Sequence, residues 1–254
     1  APDHPLAESL QRRIGPLVAG VRVRLLEGHK VEVVVPTRDK KVIALVKRII
    51  ATQAKLEFLI VANSTDHPEL LKIAKEQSGS AVMSGEQVVG RWAAVVDNQS
   101  NNNQVRLEDC VVRDGKTKKI VKDSADVDNV EILLAVETHG AVGGKEVKQV
   151  SASFDETGSP CIYFEMTVEG ADRLRQLTTK YAPDPETGFV RLMAIVMDDK
   201  VLSAPRLLAV IGGRGRITGR FTREEVRLLV NVFRAGRLPV ALKQPPTEAT
   251  FDGP

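Results

Sequence analysis

From Arg216 to Leu242 the sequence specifies both ends of a helix and the segment that follows it. Thr222 is a good N-cap, and Glu225 three residues later completes a capping box that satisfies two orphan amides reciprocally. Phe221 before the cap and Val226 in the first turn are placed as a hydrophobic staple. Val226, Leu229, Val230 and Phe233 recur at i, i+3, i+4 and i+7, which gives one apolar face. Arg234 falls in the last turn, Gly236 supplies a left-handed residue beyond it, and Pro239 prevents continuation. Leu238 to Leu242 reads as a short strand, with Pro239 near its start where a missing donor is tolerated.

The same reading extends to the N-terminal part. Leu6, Leu10, Ile14 and Leu17 mark an amphipathic helix interrupted near Gly15-Pro16, with Arg12 and Arg13 read as surface residues of a packed helix. Val21 to Leu26 and Val31 to Val35 predict a hairpin around Glu27-Gly-His-Lys30, in which His29 is exposed. Thr37 caps a second helix whose buried stripe is Val42, Leu45, Val46, Ile49 and Ile50, and Leu56 to Val61 is the next strand. Helix–strand–strand–helix–strand is most of a ferredoxin-like α+β sandwich, and the C-terminal helix and strand would complete it. The expected organisation is a ferredoxin-like base from 1–64 plus 218–246, an inserted mixed α+β head from 65–217, and a linker at 247–254 leading toward a transmembrane helix. The hinge candidates are Ala62, Asn63 and Ser64 on the way out, and Thr218, Gly219 and Arg220 on the way back.

Within the insert, His67 to Gln77 reads as a helix, and Val88 to Asp97, Val105 to Val112, Lys119 to Val121 and Val130 to Glu137 as strands. Asn98 to Asn103 is a polar loop without core-forming residues. Val150 to Thr167 predicts a hairpin turning at Asp155 to Pro160. Ala171, Leu174, Leu177 and Tyr181 form a helix face, and Leu192 to Met197 is a buried strand turned by Asp198-Asp199.

At 254 residues with 43% hydrophobic content the chain can bury a sizeable core. Aromatics at 4%, with Trp92 as the single tryptophan, argue against stacking platforms for single-stranded nucleic acid. A net charge of +3, both signs mixed along the chain, argues against a nucleic-acid or anionic-membrane binder. No stretch approaches the ~18 consecutive apolar residues of a membrane helix, and Ala1 to Pro5 lacks the character of a secretory leader.

Chemistry-bearing patterns are missing one by one. Gly212-Gly-Arg-Gly215 lacks the Gly-Lys-Ser/Thr ending of a phosphate loop and precedes a strand, so it reads as a turn. Asp198-Asp199 and Glu224-Glu225 are neighbours within a turn and a helix start, not carboxylates converging from two elements. His4, His29, His67 and His139 show no ligand spacing, and two cysteines alone make no zinc site. Cys110 and Cys161 leave two outcomes open, one disulfide in an oxidising compartment or two separate buried thiols, and the second is the more frequent. No catalytic residue, metal ligand or cofactor site is assigned, and an enzyme is not expected.

Three colinear stretches carry a resemblance. Val31-Glu-Val-Val-Val-Pro36 with Lys47-Arg-Ile-Ile50 and Ala54-Lys-Leu-Glu-Phe58 is the first. Leu192-Met-Ala-Ile-Val-Met-Asp-Asp-Lys-Val-Leu-Ser-Ala-Pro205 is the second, and Ile217-Thr-Gly-Arg-Phe-Thr-Arg-Glu-Glu225 with Arg234-Ala-Gly-Arg-Leu-Pro-Val240 the third. Together they resemble the first periplasmic domain of the SecD/SecF family of protein-export membrane proteins. The family's motif residues fall on Phe221, Thr222, Glu225, Gly236, Pro239, Asp198 and Pro205. Asp199 departs from the Asp-Gly usual there, which changes the demand on the turn. Residues 80 to 140 lie outside the resemblance.

The resemblance implies an extracytoplasmic segment of a bacterial inner-membrane protein that assists Sec-dependent export. It also implies SecF, the SecYEG translocon and unfolded preprotein as partners, with head movement linked to proton flow. Two other classes compete: a ligand-sensing ferredoxin-like domain, and a porter domain of a related RND-type exporter.

Overall fold

The structure, a computed structural model, describes residues 5–27, 30–95, 105, 107–121, 127, 129–137, 141–219, 221–240, 242 and 246–250. The loop at 98–103, Arg220, His4, His29 and His139 lie outside the described residues. The chain divides into two compact units, Ala1–Ala54 with Arg227–Pro254, and Lys55–Val226. The boundaries read from sequence, at 64/65 and 217/218, both fall inside the second of these.

The first unit opens with α1 (Pro5–Ile14), a hairpin of β1 (Arg22–Leu26) and β2 (Lys30–Val34), and α2 (Lys40–Ala51). The hairpin pairs Arg22 with Val34 and Leu26 with Lys30. Leu6, Leu10 and Ile14 of α1 and Val46 and Ile49 of α2 share one core with Val21 and Val23, as their spacing requires. The cap of α2 falls two residues later than Thr37. Asp39 Oδ1 accepts the Lys41 N–H at 2.8 Å, while Thr37 Oγ1 accepts that of Asp39 at 3.1 Å.

The second unit contains β3 (Leu56–Val61), α3 (Pro68–Glu76), β4 (Ala81–Ser84), β5 (Gln87–Val95), β6 (Val112–Asp114), β7 (Ile120–Val121) and β8 (Val130–Ala135). It continues with β9 (Val142–Gly143), β10 (Val147–Phe154), β11 (Pro160–Met166), α4 (Val168–Lys180), β12 (Met193–Met197), β13 (Lys200–Ser203) and β14 (Arg214–Ile217). Helix α5 (Arg223–Ala235) starts in this unit's residues and ends in those of the first. The architecture is mixed α+β.

Five strands of the second unit close on themselves. β5 pairs with β13, β13 with β12, β12 with β3, β3 with β8, and β8 back with β5, every pairing antiparallel except β5–β13. The result is a small barrel, with β4, β9 and the β6–β7 pair attached outside this ring. Leu59, Val61, Ala93, Ile132, Leu134, Ala194, Val196 and Val201 fill one core, drawn from all five strands. Residues of the opposite parity on β8, Leu133 and Ala135, pack with Trp92 against Leu70 and Ala74 of α3. Burial of both faces explains why Ile132 to Ala135 of β8 are apolar without a break instead of alternating.

The same reasoning corrects the expectation that Leu56–Val61 completes a sheet with the N-terminal hairpin. Leu56 and Phe58 to Val61 are all buried, and the strand is flanked by β12 on one side and by β8 and β9 on the other. A strand apolar on both faces needs two covering layers, which the barrel supplies. Leu238 to Val240 forms no strand either, and Leu238 instead donates its N–H to Gln53 O at 3.0 Å. The stretch Val105 to Val112 is broken by a 3₁₀ turn at Leu107–Asp109, where Glu108-Asp109 interrupts the apolar pattern.

A separate three-stranded antiparallel sheet, β10–β11–β14, presents Ile162, Phe164, Met166 and Ile217 inward. The Phe164 ring meets Phe58 of β3 at 5.2 Å between centroids. Burying each of two such rings contributes about 2–3 kcal/mol.

Candidate functional site

The densest polar cluster in the second unit forms where β3 ends. Asn63 Oδ1 accepts the N–H of Thr65 and of Asp66, at 3.0 and 2.8 Å, which shapes the turn. Asp66 then receives both arms of Arg191, Nε at 2.9 Å and Nη2 at 2.8 Å. The fork geometry holds the Asp66 carboxyl below its usual pKa, and Arg191 also donates to Ala182 O at 2.7 Å. Beside it, His67 stacks on Tyr181, with ring centroids 5.6 Å apart. Tyr181 donates to Glu137 Oε1 at 2.5 Å, and Lys180 reaches the same carboxylate at 2.8 Å. Burial, followed by the bond to Glu137, raises the Tyr181 pKa. Burial pushes Glu137 upward, but Lys180 and Tyr181 together outweigh it and leave a net lowering.

Four segments converge here: the residues after β3, after β8, at the end of α4 and before β12. None of these partners is close in sequence, and no spacing signal announces them.

The hinge candidates Ala62, Asn63 and Ser64 sit in this region, and Thr218 and Gly219 also fall inside the second unit. Ala62 is fully buried and donates its N–H to Leu133 O at 2.9 Å, while Asn63 and Ser64 belong to the turn just described. Motion there must break these bonds. Thr218 O accepts from Ser203 Oγ at 3.2 Å, and Gly219 lies in a bend.

The motif residues are placed as follows. Thr222 Oγ1 accepts the Glu225 N–H at 3.1 Å and Glu225 Oε2 accepts the Thr222 N–H at 2.8 Å, so the capping box forms. Phe221 is half-buried, and Gly236 adopts φ +73° just past the helix. Pro239 is exposed in a bend, and Pro205 O accepts the Met193 N–H at 3.0 Å. Asp198 and Asp199 both have positive φ, +50° and +62°, the pattern of a type I′ turn. Asp198 Oδ1 accepts the Lys55 N–H at 2.9 Å, and Asp199 pairs with Arg91 at 3.3 Å.

The structure overturns the surface placement expected of Arg13. Its side chain is fully buried and its guanidinium donates to three backbone carbonyls, Thr52 O, Gln53 O at 3.0 Å and Gly236 O at 2.5 Å. One side chain of α1 thus fastens the residues after α2 to those after α5, all within the first unit.

Neither Cys110 nor Cys161 is in a disulfide. Burial raises the Cys110 pKa to about 12, with Asp109 and Glu108 adding to it, which leaves the inert thiol form at neutral pH. Among the described residues no cluster of three His, Cys, Asp or Glu side chains could hold a metal ion, and no helix is long and apolar enough to cross a membrane.

The sheet β10–β11–β14 ends in an open edge. Met166 N donates to Gly213 O at 2.8 Å, which sets the alternation of the antiparallel ladder. In the register Glu165–Arg214 and Tyr163–Arg216, the N–H and C=O groups of Arg214 and Arg216 therefore point away from β11. Both arginines are exposed, and among the described residues β14 has no strand on its other side. Gly213, at φ +99°, leads into the strand; a Cβ there would meet that of Ala171 at 2.4 Å. Beside it opens a pocket of about 430 Å³ lined in part by Met166, Val168 and Ala171.

Comparison with known proteins places this geometry. Residues 118–240 match the family model described as SecDF, P1 head subdomain. The protein translocase subunit SecD of Aquifex aeolicus is 36% identical over 108 residues, 42% of this chain and 20% of that protein. The SecD of Rickettsia conorii is 27% identical over 175 residues, 68% of this chain and 32% of that protein. The chain thus spans about a fifth to a third of the length of these curated relatives. A solved structure reported as a membrane component SecDF that enhances protein export superposes with TM-score 0.57 at 22% identity, over 97% of this chain and 92% of that one. SecDF in a super-membrane-facing form gives TM-score 0.56 at 22% identity, over 94% of this chain and 27% of that one. At this identity the two structures speak for the fold.

Proposed function

Because this chain belongs to the SecD/SecF family and carries its P1 head subdomain over residues 118–240, we propose that it is an extracytoplasmic domain of a translocase subunit whose second unit contacts preprotein during Sec-dependent export. The observation that carries the reading is the open edge of β14. At the exposed residues Arg214 and Arg216, main-chain groups with no strand beside them among the described residues offer hydrogen bonds to any extended chain, whatever its side chains. An export client is unfolded and varied in sequence, so recognition through the main chain suits it. The neighbouring pocket has room for one of its side chains.

The rest of the reading follows from the family. The first unit is the base, SecF and the SecYEG translocon are the partners, and head movement is coupled to the proton-motive force. A ferredoxin-like sandwich in the base would need further strands beside β1–β2. Work is mechanical, with no catalytic residue assigned. A ligand sensor or a porter domain lacks comparable support, since the sequence relatives are named as translocase subunits.

Arg216→Pro tests the edge directly. Proline removes the outward N–H but breaks no ladder bond to β11, a position where strands tolerate it. In cells depending on the full-length protein, R216P is expected to slow preprotein export at unchanged protein level, while Arg216→Ala, which keeps the N–H, does not. Normal export in R216P would overturn the assignment.

A further inference from the structure

The turn between β3 and α3 is built around an imidazole with two opposed duties. His67 Nδ1 lies 3.4 Å from the Asn63 N–H that points at it, and Nε2 lies 3.2 Å from the Tyr181 hydroxyl. A nitrogen that accepts an N–H must carry its lone pair, so the ring proton sits on Nε2 and the ring is neutral. The hydrogen bonds then run one way, from Nε2–H to the tyrosine oxygen and from the tyrosine to Glu137 at 2.5 Å.

The charged and titratable groups around the ring come from every described segment at this point. Asp66 belongs to its own turn, Glu137 follows β8, Lys180 and Tyr181 end α4, and Arg191 precedes β12. Both carboxylates are already engaged, Asp66 by the fork of Arg191 and Glu137 by Lys180 and Tyr181. A second proton on the ring would meet a donor at Nδ1, and neither carboxylate can swing to it without leaving its own cation.

We infer that His67 is an acid-operated latch: a proton taken up at Nδ1 sets two donors face to face and opens the Asn63–His67 turn at the start of α3. The inference stands apart from the translocation reading. Burial is the main influence on the imidazole and moves its pKa below the ordinary value, with the lysine and arginine helping and the two carboxylates opposing. The sign follows. A group whose folded pKa is depressed stabilises the fold fully above its unfolded pKa, about 6.5 for histidine, and loses that contribution as pH falls toward the folded value.

Two measurements on the intact chain decide it: an NMR titration of the His67 ring, and amide exchange between pH 7.5 and 5 corrected for intrinsic rates. The ring is expected to titrate below about 6.5. Protection of the His67 and Leu71 amides, which bond Asn63 O and His67 O, is expected to fall about tenfold over the pH range in which the ring titrates. Amides within β3 and β12 should hold. In His67→Gln, which can accept and donate without titrating, the pH dependence should vanish. A ring that titrates at or above the ordinary value overturns the latch, as does protection that ignores pH; if H67Q fails to fold, the wild-type titration alone decides.

Discussion

Arg13 shows how much one side chain can do by donating to backbone carbonyls. Its buried guanidinium satisfies three carbonyls at the places where the chain leaves α2 and α5. Truncation would strand these acceptors and open a cavity beneath α1. Arg13→Ala is expected to destabilise the first unit by about 3 kcal/mol, read as a shift in urea midpoint at unchanged slope. Arg13→Lys should recover part of the loss, because a point charge cannot fork between several carbonyls. A loss below about 1 kcal/mol for R13A would mean that the carbonyls find water instead. The clue was present in the sequence. Arg13 lies three residues after Leu10 and four before Leu17, on the apolar stripe and not opposite it. The Asp66–Arg191 fork had no such clue, since its partners are 125 residues apart in sequence.

At the scale of elements, legibility followed the range of the determining interaction. The capping box, the Gly236 terminus and the hairpins of β1–β2 and β10–β11 are decided by neighbours in sequence, and local chemistry sufficed to read them. Strand pairing was different: β3 is apolar enough to demand two covered faces, yet nothing in it names β12 or β8 as partners. The Asp198-Asp199 turn lies between these cases. Both residues take positive φ, which an L side chain adopts at a cost, and only Asp198 offsets that cost with a bond to the Lys55 amide. Asp199→Gly is therefore expected to raise stability by roughly 0.5–1 kcal/mol, seen as a higher melting temperature. Asp199 itself is exposed, so the pair with Arg91 that it gives up contributes little. A lower melting temperature for D199G would show that this pair matters more than the backbone.

At the scale of the whole molecule, the two units differ in what they offer a partner. The first is helix-rich, with a core drawn from both ends of the chain. The second is a closed barrel joined to a three-stranded sheet whose last strand has no further strand beside it among the described residues. Closing a barrel removes edges, so main-chain recognition is left to the strands outside it. The mixed α+β class and the resemblance to the SecD/SecF family were legible in the sequence, the ferredoxin-like arrangement was not confirmed, and the proposed contact surface was not legible. It arises from the ladder alternation set at Met166 and Gly213, a feature of pairing and not of composition. The central claim is that an exported chain passes along β14. Photoreactive residues at Arg214 and Arg216 of the full-length protein, with Glu76 on the exposed end of α3 as control, would be illuminated during arrested export. Preprotein adducts at the two β14 positions and none at the control are the expected result. Adducts elsewhere on the second unit but not at β14 would contradict the edge and keep client contact, and no adducts anywhere in an active, folded protein would contradict both.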